Sequence, residues 1–254
     1  MLILVSQPVA RIAALRLPQG APTPRDPSPW SSPAILSPGS ARELTCNPSG
    51  LPSPAQAPES PYPAAPQDAL DALMYVLTHP SMYDPTRITV SGFSAGANLA
   101  MVLAVTHSAD PSLPPVRAVA SLYGNSFIDA PRPPAPSPTF DDGTVVRPAI
   151  RAWLYKCYLL PDQDRSALGL SPDHAPIDAY PERVLVTCGE ADDLHGPGRR
   201  LVDWLQGGGH GGAEFVGVTR GAHAFDKGAR TDTLRAKRDG VYARVGAMMR
   251  EAGK

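Results

Sequence analysis

From residue 66 onward the apolar positions alternate between a helical and an extended rhythm. Leu70, Leu73, Met74 and Leu77 recur at helical spacing, and Pro80 predicts that this helix stops near His79. The β-branched run RITVSG at 87–92 predicts a buried strand. After Ser94, residues Leu99, Val102, Leu103 and Thr106 fall on one face of a second helix. Strands are then expected at 116–124, 183–189 and 214–218, with a helix around 199–206 between the last two. A final helix is expected over 231–251, with Val241, Tyr242, Val245, Met248 and Met249 on its apolar side. Strands alternating with helices predict an α/β domain whose mostly parallel sheet carries helices on both faces. In such sheets ligands bind beyond the carboxyl ends of the strands.

The rhythm is absent before residue 57. Of 31 prolines, 15 lie in the first 66 residues, and proline removes an amide donor and fixes φ, which opposes helix and interior strand alike. Residues 1–56 are therefore expected to be irregular or disordered, above all between 19 and 60, with one short strand or helix within 1–17. Residues 57–254 form the folded domain, in which 125–180 make a long excursion between two strands.

Composition narrows the function. A net charge of -1 with 19% charged residues gives no basic field for nucleic acid. Cys46, Cys157 and Cys188 are odd in number and far apart, which fits reduced thiols rather than a disulfide framework or a metal site. MLILV is too short and lacks the basic start of a leader, and no apolar run is long enough to span a membrane. A cytoplasmic protein is the expectation.

Chemistry concentrates at Gly92, Phe93, Ser94, Ala95 and Gly96, a G-x-S-x-G between an expected strand and helix. That context is a nucleophile elbow: small residues permit a tight turn that lifts the Ser94 hydroxyl above the sheet, and the Ala95 N–H becomes an oxyanion donor. A serine hydroxyl is a weak nucleophile until a base takes its proton, so a carboxylate and then a histidine should follow. His223 lies just after the strand at 214–218 and is the expected base, whereas His79 and His107 are badly placed and His174, His195 and His210 are expected to be surface residues. Asp192 follows the strand at 183–189 and is the expected acid, with Asp193 and Glu190 as neighbouring alternatives that spacing does not separate.

These residues together resemble the hormone-sensitive-lipase-like branch of the α/β-hydrolases, the fold-3 esterases. Ala57, Pro58, Glu59, Pro61, Tyr62, Pro63 and Ala64 match its A-P-E-x-P-[FY]-P-A segment, and GFSAGAN matches its G-D-S-A-G-G-N elbow except at Phe93 and Ala97. Its G-E-x-D-x-L context picks out Asp192, and its H-G-F becomes His223, Ala224 and Phe225. The family's H-G-G-G, which supplies further oxyanion donors ahead of the A-P-E segment, is missing, and GGGHGG at 207–212 lies in the wrong loop. The strand before the A-P-E segment is also expected to be absent. Residues 1–55 are accordingly expected to come from a truncated or misread coding sequence, which a transcript with a continuous frame and no upstream H-G-G-G would refute.

Losing one oxyanion donor lowers turnover by about 100- to 1,000-fold. A bare sheet edge would also favour aggregation or a homodimer. The resemblance implies a serine carboxylesterase that needs no cofactor or metal and acts on small-molecule esters, in which the 125–180 insertion roofs the active site and Phe93, Trp153, Tyr155 and Tyr158 are candidate pocket residues. An equal alternative for the three aromatic residues of the insertion is that they pack it onto the sheet. The competing function class is a catalytically impaired or non-catalytic member that binds a small hydrophobic ligand or a protein; amidase and lactonase chemistry also fit the same triad.

Overall fold

A computed structural model of the chain describes residues 57–252 apart from 109, 130–133, 137–138 and 230, together with the backbone of four short strands nearer the start. The strands are β1 (Leu2–Ser6), β2 (Arg11–Leu15), β3 (Thr45–Cys46) and β4 (Pro52–Ser53). The expected irregular stretch at 19–60 otherwise falls mostly outside the described residues.

The domain continues as α1 (Ala64–Thr78), β5 (Ile88–Phe93), α2 (Ala95–His107), β6 (Val116–Leu122), α3 (Pro148–Tyr158), β7 (Arg183–Gly189), α4 (His195–Gly207), β8 (Ala213–Val218) and α5 (Asp232–Ala252). Six strands form one sheet in the order β2-β1-β5-β6-β7-β8. All neighbours from β1 to β8 are parallel, and β2 returns antiparallel along β1. The carboxyl ends of β5, β6, β7 and β8 therefore share one edge, where the expected nucleophile, acid and base lie.

Near the start of the chain β1 pairs with the edge of β5, Leu2 opposite Thr89 through Val5 opposite Gly92, and β2 pairs with β1. The cause is long-range: an apolar five-residue run too short for a stable helix gains its hydrogen bonds from the unpaired edge of β5.

Side chains alternate across the sheet as the pleat dictates. Val184 and Val186 of β7 join the layer formed with α1, α2 and α4, whereas Leu185 faces Val241, Met248 and Met249 of α5. The helix α2 departs from the expected single apolar face. Gly96, Ala97 and every residue from Leu99 to Val105 are buried, while Thr106 is exposed. A helix apolar on all sides belongs inside, and α2 is covered by β5 and β6 beneath and α1 beside it. The helix α4 starts four residues before the expected Arg199, because Pro197 sits in its first turn, where no amide donor is needed. Among the described residues no helix is long and apolar enough to cross a membrane.

Candidate active site

The elbow is built by hydrogen bonds that carry the parallel ladder beyond the strand ends. The Ser94 N–H donates to the Leu122 carbonyl (2.9 Å), the Tyr123 N–H to Thr187 (2.6 Å) and the Glu190 N–H to Val218 (3.0 Å). Each loop is thus held by the next strand. Ser94 has φ 54, a left-handed conformation that costs an L-residue energy, and functional turns are where such strain is retained. Gly92 is required beside it, because a side-chain carbon there would overlap the backbone carbonyl of Gly96.

On this frame the Ser94 Oγ lies 2.8 Å from the His223 Nε2, and the His223 Nδ1 lies 2.8 Å from the Asp192 Oδ2. The serine and imidazole are part-buried, and the Asp192 side chain is only 3% exposed. Burial raises the Asp192 pKa, but the hydrogen bond and charge of His223, the Leu194 N–H and the Cys188 thiol outweigh it, so the carboxyl titrates below its ordinary value. The Leu194 N–H donates to the second oxygen, Oδ1, at 3.0 Å. The Asp192 carboxylate is therefore ionised and hydrogen-bonded at both oxygens.

The three neighbouring carboxylates sort to different partners. Asp192 reaches His223, Asp193 pairs with Arg151 on α3, and Glu190 accepts from the Arg220 N–H (3.4 Å). Ala95 opens α2 and is exposed beside Ser94, which puts its N–H at the positive end of the helix dipole. The candidate pocket residues are spread out. Phe93 is half-buried in an aromatic group with Tyr123 and Tyr242, and the Lys227 Nζ stands 3.6 Å above its ring. Tyr155 and Tyr158 pack on Ile128, Leu159 and Leu170 within the insertion, whereas Trp153 is 61% exposed on α3, where no residue is buried. Of the histidines expected at the surface, His174 is exposed and pairs with Asp129. His195 and His210 are instead half-buried, the first edge-on to Phe215 and the second bonded to the Pro181 carbonyl.

Three features were missed in the sequence. Tyr123, with φ 44, is almost fully buried, sets its ring edge-on to His223 at 5.0 Å, and donates its hydroxyl to buried Asp226 (2.8 Å). Asn98 of α2 donates to the carbonyls of Asn125 (2.7 Å) and Leu170 (2.9 Å), tying the elbow helix to the insertion. Residues 141–144 run beside the histidine loop. A buried tyrosine at a strand end was the one signal available; the other two depend on pairings distant in sequence.

Comparison with known proteins agrees with this architecture. The chain is 30% identical over 155 residues to carboxylesterase NlhH of Mycobacterium tuberculosis, a match covering 59% of this chain and 47% of the relative. The chain thus spans about half the length of the curated relatives it matches. A solved hyperthermophilic esterase from the archaeon Pyrobaculum calidifontis superimposes with a TM-score of 0.64 at 23% identity, covering 80% of this chain and 64% of that one. EstE1, a thermostable carboxylesterase cloned from a metagenomic library, gives 0.66 at 23% identity, over 80% and 68%. These two likenesses concern the fold. The model of the alpha/beta hydrolase fold matches residues 55–227, from the A-P-E segment through the elbow to the histidine loop, and the chain belongs to the alpha/beta-hydrolase fold-3 family.

Proposed function

We propose that this chain hydrolyses small-molecule carboxylic esters through an acyl-enzyme on Ser94. The observation that carries the reading is the unbroken hydrogen-bonded chain from the Ser94 Oγ through His223 to buried Asp192. The His223 Nε2 takes the hydroxyl proton as Ser94 attacks the ester carbonyl, and the carbonyl oxygen becomes an oxyanion facing the Ala95 N–H. His223 returns the proton to the departing alcohol, leaving the acyl group on Ser94. Water, deprotonated by His223, then attacks the acyl carbonyl and releases the acid and free serine. Asp192 holds the imidazole in the tautomer with its proton on Nδ1.

The curated relative is a carboxylesterase, which supports an ester over an amide as substrate. The missing H-G-G-G favours a second reading, in which the cleft binds a ligand and turns over slowly or not at all. Nitrophenyl esters of increasing acyl length, assayed with the wild type and Ser94→Ala, separate the two. Hydrolysis lost in the variant supports the esterase. Equal, background-level rates in both would overturn it.

A further inference from the structure

The histidine loop is held by a segment that lies nearly eighty residues earlier in the chain. Asp142 lies opposite Gly221 and Thr144 opposite His223 in two isolated bridges. The His223 N–H donates to the Thr144 carbonyl (3.0 Å), and the Thr144 N–H returns to the His223 carbonyl (2.7 Å). Both backbone polar groups of His223 are thus engaged by one residue. The Ala222 N–H donates to the Asp142 carbonyl (2.9 Å) and the Asp141 N–H to the Arg220 carbonyl (2.8 Å), which adds two further backbone bonds between the segments. On the solvent side Arg220 pairs with the Asp141 carboxylate at 2.6 Å, and the Lys237 Nζ lies 3.6 Å from it.

Gly143 sits between the two bridges with φ +102. A side-chain carbon there would lie 2.6 Å from the His223 carbonyl oxygen and 2.9 Å from the Ala222 carbonyl carbon and oxygen. These are backbone atoms that cannot rotate aside, and an L-residue is itself strained at this φ. Close approach of the two segments therefore requires glycine at 143. A misplacement of about 1 Å at a catalytic group costs on the order of 100-fold in rate, so the placement of this backbone matters to the imidazole it carries.

We propose that residues 141–144 are the positioning element for His223, with Gly143 the residue that lets the two backbones meet. The proposal rests on the reading of Ser94, His223 and Asp192 as one catalytic unit, in which the imidazole must meet two partners at once. It gives the first part of the insertion a role separate from roofing the cleft.

The test uses the full chain carrying Gly143→Ala, with Gly209→Ala as control. Gly209 also has a positive φ (+93), but a side-chain carbon there would have nothing within 4 Å, so its variant carries the backbone strain without the contact. Two readouts are taken: kcat and KM for a nitrophenyl ester, and the low-field proton resonance of the His223 Nδ1–H in its bond to Asp192. Gly143→Ala should lower kcat by about 10- to 100-fold with KM nearly unchanged, and weaken or abolish the resonance. Gly209→Ala should keep both.

Should Gly143→Ala not fold, Asp141→Lys serves instead: it faces Arg220 and Lys237 with a like charge at an exposed position. Its kcat should fall by about 3- to 10-fold and recover in about 1 M salt, which screens exposed charges. The proposal is overturned if folded Gly143→Ala, or failing that Asp141→Lys, retains the wild-type kcat and resonance. If the wild type hydrolyses no ester yet Gly143→Ala loses the resonance, the positioning role stands and the esterase reading falls.

Discussion

Replacing Asp192 by asparagine changes few atoms but should disable His223. The Leu194 N–H donates to Oδ1 at 3.0 Å, so that site must remain an acceptor and the new amide nitrogen must occupy the Oδ2 position. There it faces the His223 Nδ1, 2.8 Å away, and presents a donor where the native oxygen accepts. The imidazole can answer only by moving its proton to Nε2, which then points at the Ser94 Oγ and cannot take the hydroxyl proton. In a serine protease the same acid-to-amide change lowers kcat by about 10⁴-fold, or about 5.5 kcal/mol, and a loss of that order is expected here. The assay is ester hydrolysis at saturating substrate, with circular dichroism to establish that the variant is folded. Asp193→Asn and Glu190→Gln should stay within about tenfold of the wild type, because neither carboxylate touches the imidazole. Retention of more than about a tenth of the wild-type rate by folded Asp192→Asn would refute the tautomer argument.

Other consequences follow from single positions. Gly92→Ala forces a side-chain carbon onto the Gly96 carbonyl, so the elbow must open; labelling of Ser94 by a fluorophosphonate should slow by about 100-fold, and an unchanged labelling rate would contradict the geometry. Burial pushes the Asp173 carboxyl up from 3.8 to about 6, with the His174 charge opposing and the Asp129 charge adding. The folded state therefore holds this proton more tightly than the unfolded chain, and stability falls as pH rises from about 4 to about 6. Asp173→Asn should raise Tm by an amount that grows across that window and then levels; a gain independent of pH would count against the cause. Leu185, central in β7 and 1% exposed, should cost about 2–5 kcal/mol when cut to alanine, measured by urea unfolding, and a loss below about 1 kcal/mol would mean the sheet face relaxes around it.

What the sequence makes legible here is local chemistry in a fixed order. RITVSG and the small residues around Ser94 place the elbow, and β7 begins and ends at the expected Arg183 and Gly189, because each signal lies within a few residues of its consequence. Choosing among Glu190, Asp192 and Asp193 required three dimensions, since only the positions of Arg151, Arg220 and His223 distinguish three carboxylates at one strand end. The burial of α2 on all sides was also hidden. Its alanines and Gly96 count weakly as apolar in sequence, yet they are what allows the helix to sit between the sheet and α1. The pairing of β1 with β5 and of 141–144 with 220–223 arises from long-range backbone bonds, which carry almost no signature in side-chain pattern.

Reaction of the full chain with a fluorophosphonate, followed by intact-mass analysis of the wild type and Ser94→Ala, tests the central claim most directly. A base-activated serine predicts one adduct on the folded wild type and none on the variant. A folded wild type that takes no adduct, or a variant that takes the same one, would contradict the assignment of Ser94 as nucleophile.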